Sequence, residues 1–131
     1  MSHFYRNIRG YYYSIIRGIK NLWRWFPIIW RDRDFDNYYV EIMLYEKLRN
    51  TYNFFISKYS ITNWEVPEQE QSLKALKICI TILDRRLNDF YVGTCSGEVS
   101  LNKAELAYQI ELRDQNLLGK LLGKYLSYWW D

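Results

Sequence analysis

The chain has 131 residues, of which 49% are hydrophobic, 25% charged and 19% aromatic, and its net charge is +3. That length suits one domain with its own core, and no Pro-, Gly- or Ser-rich linker divides it. Apolar runs stay far short of the ~20 residues a membrane-spanning helix requires, and the arginine-dotted N-terminus lacks the apolar stretch of a secretory signal, so a cytoplasmic protein is expected.

From Phe4 to Phe26 the apolar residues Phe4, Ile8, Tyr11, Tyr12, Ile15, Ile19, Leu22, Trp23 and Phe26 recur every three or four positions, which predicts a helix over 4–26. Opposite them, Arg6, Arg9, Arg17, Lys20 and Arg24 align five cations in a stripe of roughly 27 Å. Pro27 removes an amide donor and disfavours helical geometry at Phe26, so the helix should end or kink there. The stretch WRWFPIIWRDRDFDNYY, Trp23 to Tyr39, then crowds three tryptophans, three arginines and three aspartates around that proline.

A second helix is predicted over about 34–57, with Asp34 as its N-cap and Asp36 where the helix dipole favours an anion. Its apolar face runs Phe35, Tyr38, Ile42, Tyr45, Leu48, Tyr52, Phe55 and Ile56. After a loop, Pro67 opens a third helix over 67–90, whose seam Leu73, Leu76, Ile80, Leu83, Leu87 and Phe90 alternates steps of three and four. Glycines around Cys95 form a connection, and Ser100 or Asn102 caps a fourth helix over about 100–130. Its face is Leu101, Ala104, Tyr108, Leu112, Leu118, Leu122, Leu126 and Trp129, weakened by Gly119 and Gly123. Alternating strand patterns are scarce, so the expectation is all-α, a single-domain bundle of about four helices, oligomeric. Trp64, Trp129 and Trp130 are candidates for subunit interfaces.

Residues 1–33 carry seven basic residues against one acid, Asp32, while the remainder carries eleven against fourteen. An anionic partner would therefore be drawn to the first third. Asp32, Asp34 and Asp36 alternate as calcium ligands do, but Asn37 stands where the loop glycine belongs and Met43 where the bidentate glutamate belongs. They read better as a cap with ion pairs to Arg31 and Arg33. Two cysteines, Cys79 and Cys95, and one histidine, His3, form neither a disulfide framework nor a zinc site. With no phosphate-binding glycine loop, and no base placed beside a nucleophile, no enzyme, metal or cofactor is expected. Duplex nucleic acid is disfavoured because the overall charge is small and no recognition motif is present.

The run FPIIWRDRDFDNYYVEIMLYEKL, then ILDRRLNDFY and the terminal YWWD resemble a family of small, all-helical, phage-encoded proteins with a D-R-D-W-D-type core and a W-W-D ending. The likeness covers about Trp23 to Tyr59, the third helix and the last residues. Phe35 replaces the commoner tryptophan of the core motif, and the tyrosine-rich first helix departs from shorter members. What this resemblance implies is the nucleotide-sponge class, similar to anti-CBASS and anti-Thoeris proteins. Such proteins sequester an immune second messenger in the host cytoplasm without cleaving it, as homo-oligomers such as tetramers.

On that expectation the ligand is a cyclic oligonucleotide or a cyclic ADP-ribose type of signal. Arg31 and Arg33 would hold phosphates, helped by Arg17, Arg24 and Lys47; Trp30 and Tyr38 would stack on a base; Asp34 and Asp36 would orient the arginines or accept from base or ribose. A helical module that inhibits a host protein is the alternative. A peripheral membrane protein anchored by residues 4–26 stands third, because the first helix could equally cover the other three with its apolar side.

Overall fold

The computed structural model describes residues 2–34, 36–93 and 101–129. These form α1 (Ser2–Arg31), α2 (Tyr38–Phe55), α3 (Pro67–Leu87), a single turn α4 (Phe90–Gly93) and α5 (Leu101–Tyr125), which ends in a 3-10 turn, Leu126–Tyr128. The fold is all-helical, with four long helices and no strand among the described residues. Two compact units divide the chain, Met1–Tyr39 and Val40–Asp131.

In the first unit α1 runs through Pro27 rather than stopping at Phe26. The proline deletes one ladder donor, yet the turn beyond it survives for two reasons. The rings of Phe26 and Trp30, one turn apart and bracketing the proline, pack with centroids 5.5 Å apart. Arg31 places a cation at the C-terminal end, where the helix dipole favours it. The chain then turns, with Asp36 N–H donating to Arg33 O at 2.9 Å. The N-cap of α2 is Asp36 and not Asp34: its Oδ1 accepts the Tyr38 amide at 2.9 Å. Both residues suit a cap chemically, and the start of the helix at Tyr38, four residues later than predicted, selects the second. Phe35 lies outside the described residues.

The core of the second unit is Leu48 and Phe55 from α2, Leu76, Cys79, Ile82 and Leu83 from α3, and Leu118 from α5. The sequence of α3 explains its central place. Pro67 opens it, Glu68 and Glu70 sit in the first turn, Arg85 and Arg86 in the last, and a stripe from Ser72 to Leu83 is buried. The predicted extension to Phe90 fails because Asp89 adopts a left-handed conformation, φ 52°, which only short polar residues or glycine tolerate readily. That break redirects the chain into α4 and brings Tyr91 to α5.

Two of the tryptophans offered as interface candidates pack against this core. Trp64 stacks on Phe55 with centroids 4.3 Å apart and donates its indole N–H to Ser60 Oγ at 2.9 Å. Trp129 curls back from the 3-10 turn and donates to the Ser72 carbonyl at 2.8 Å, which is why α5 stops short of residue 130. Trp130, Cys95 and Ser100 lie outside the described residues.

The first half of the α5 face is rotated from the predicted one: Ala107 and Asp114 are buried, whereas Tyr108 and Leu112 are exposed. Further along, Leu118, Leu122 and Trp129 face the core as predicted, and Leu126 is exposed. A carboxylate is the least expected residue on an inner face. It is there because two partners satisfy it, as follows.

Candidate binding surface on the first helix

Six cations and no acid lie within α1. Arg17, Arg24 and Arg31 are seven residues apart, which places them in line with a spacing of about 10 Å. All three are exposed, as are Lys20 and Arg33, and none of the five joins an ion pair among the described residues. Arg9 leans on its neighbour, its guanidinium 5.8 Å from the Tyr13 ring centroid. On the other side of the helix Ile19, Leu22, Trp23 and Phe26 line an apolar groove. Trp23 is 78% exposed and Trp30 76%. Within its own unit α1 is a single helix, with no second layer to cover such a stripe.

The residues expected to bind a phosphate and a base divide between the two units. Trp30, Arg31, Arg33, Asp34 and Asp36 are consecutive or nearly so at the end of α1, and Arg17 and Arg24 extend the same stripe back along it. Tyr38 is the second residue inside the Asp36 cap, its ring edge-on to Tyr39 with centroids 5.6 Å apart. Lys47 is exposed on α2 in the other unit. The ion pairs expected of Arg31 and Arg33 with the three aspartates are not formed among the described residues. Asp36 is engaged by backbone, and an exposed pair gains too little to hold two side chains together. No three His, Cys, Asp or Glu side chains converge as a metal site among the described residues.

Sequence reasoning missed the polar centre of the second unit, although the run ILDRRLNDFY contains half of it. Three successive α3 residues each reach a different partner. Asp84 Oδ1 accepts from Tyr45 of α2 at 3.3 Å, Arg85 lies 3.3 Å from Asp114 of α5, and Arg86 forks onto Glu41 of α2. That fork makes two bonds, Nε to Oε2 at 3.0 Å and Nη2 to Oε1 at 2.8 Å, while Nη1 lies 3.6 Å from Glu111. The hydrogen bond to Glu41 is what chiefly raises Arg86 above the usual guanidinium value. Tyr91 donates to Asp114 Oδ2 at 2.7 Å, and burial followed by that bond pushes its phenol above the tyrosine range. With Asp114 only 2% exposed at its centre, this cluster pins α2, α4 and α5 to α3.

No family model, curated protein or solved structure matches this chain. No helix among the described residues is long and apolar enough to cross a membrane.

Proposed function

We propose that this chain works by binding, with α1 as its binding element and a polyanion as its partner. The observation that carries the reading is the exposed line Arg17, Arg24 and Arg31, with Lys20, on a helix without an acid, followed by the exposed Arg33 just beyond its end. Like charges three or four residues apart each cost a helix a few tenths of a kcal/mol, so the stripe is unfavourable until an anion meets it. Guanidinium forks suit phosphate oxygens, which they can take two at a time.

The form implied by the resemblance is sequestration of a nucleotide immune messenger by a phage protein. Arg31 and Arg33 would take its phosphates and the open Trp30 ring its base, with Arg17 and Arg24 as further cations. One helix has no walls of its own, and a homo-oligomer whose subunits enclose the nucleotide is part of this proposal. The test is to incubate the purified chain with cyclic di- and trinucleotides and cyclic ADP-ribose isomers, wash it, then heat it and identify what is released. One intact compound in near-stoichiometric amount, lost in an Arg31→Ala, Arg33→Ala variant, is the expected result. A cleaved product would replace sequestration with catalysis, and an empty, folded protein would remove the nucleotide.

A further inference from the structure

We infer that α1 docks in the plane of an anionic lipid bilayer. The inference rests on α1 being the binding element and names a partner for both of its faces. The cationic line alone fits any polyanion. The opposite face asks for more: Ile15, Ile19, Leu22, Trp23, Phe26 and Trp30 are each at least half exposed, and with Ile8 the stripe extends over about 33 Å of helix. A nucleotide occupies one or two rings and leaves the rest of that stripe in water. A bilayer interface takes all of it, because its acyl boundary accepts the apolar face while headgroup phosphates meet the arginines.

Charge decides between this occupant and a second copy of the chain. Pairing two α1 helices through their apolar faces would cover those faces but leave the six cations of each helix turned outward with no counter-charge. An anionic surface supplies the missing charge. Residue types agree with this placement: aromatic rings concentrate at membrane interfaces, and arginine stems can lie along apolar surface with their charged ends among phosphates. The cations rule out a spanning orientation and favour a helix lying flat, consistent with the absence of any long apolar helix among the described residues.

The experiment is co-sedimentation of the full chain with vesicles of equimolar phosphatidylserine and phosphatidylcholine, and with phosphatidylcholine alone, at low and high salt. The chain should pellet with the anionic vesicles at low salt only. An Arg17→Gln, Arg24→Gln, Arg31→Gln variant should bind about 100-fold more weakly. An Ile19→Gln, Trp23→Gln variant, which keeps every charge, should also lose binding while circular dichroism shows the helical content unchanged. Failure to pellet with anionic vesicles overturns the inference, and so does equal binding by wild type and the Gln pair. A chain that ignores vesicles but retains a nucleotide loses this inference and keeps the proposed function. A chain that is a stable dimer in solution and ignores vesicles assigns the apolar face to a second copy.

Discussion

The Tyr91 hydroxyl and the Asp114 carboxylate meet at 2.7 Å inside the second unit, and Arg85 stands 3.3 Å from the same oxygen. A single turn of helix thereby holds a buried acid on the inner face of α5. Removing Asp114 strands both partners, so Asp114→Ala should cost about 3 kcal/mol. Tyr91→Phe, which removes one charge-assisted bond, should cost about 2 kcal/mol. Urea denaturation followed by circular dichroism measures both.

The same pair sets an alkaline limit. The raised Tyr91 phenol means that the folded state favours the protonated form. Its contribution to stability is therefore complete below the ordinary tyrosine value of 10.0 and is lost as pH rises through that value towards the folded one. Melting temperature should fall more steeply above this pH in wild type than in Tyr91→Phe. Parallel slopes would show that Tyr91 ionises alike in both states.

Arg86 and Glu41 offer a geometric test. Two bonds to one carboxylate require the planar fork, so Arg86→Lys should lose about as much stability as Glu41→Ala, about 2 kcal/mol each. A double-mutant cycle should recover most of that as coupling. Additive losses would show that the two side chains act independently.

How far the residues announced this architecture depends on what each pattern encodes. The three-and-four alternation from Leu73 to Leu83 marks a helix buried along one side, and α3 is that helix. The equally regular pattern from Ile8 to Phe26 marks α1, but periodicity defines a face and not what covers it. In α5, hydrophobicity placed Tyr108 and Leu112 inward; the inward residue is Asp114, because its partners come from residues 85 and 91, whose proximity only the fold creates. Asp34 and Asp36 were chemically equal as caps. The arginines were readable as a cationic stripe, yet their freedom from the neighbouring aspartates depended on the turn at Arg33 to Asp36.

Cys79 reports on the opening of the core. Burial pushes its thiol up to about 11, and it is fully enclosed. In a Cys95→Ser background, a disulfide reagent at mildly alkaline pH should label it only as fast as the unit unfolds. Labelling at the rate of a free thiol would place Cys79 outside the core.

Gly119 and Gly123 weaken α5 without a packing reason, since a Cβ at either meets nothing within 4 Å. Substituting alanine at each should stabilise the helix by about 1 kcal/mol, read as a higher melting temperature. A loss of stability at either position would mean that the glycine faces a neighbour in solution.

The claim that α1 is the binding element is tested most directly by amide hydrogen exchange on the full chain, with and without anionic vesicles or any nucleotide the chain retains. Peptides across residues 8–31 should gain protection on binding, while those across the buried stripe 72–83 keep theirs unchanged. Protection gained only within residues 40–131, with α1 exchanging as before, would contradict the account and move the binding site to the second unit.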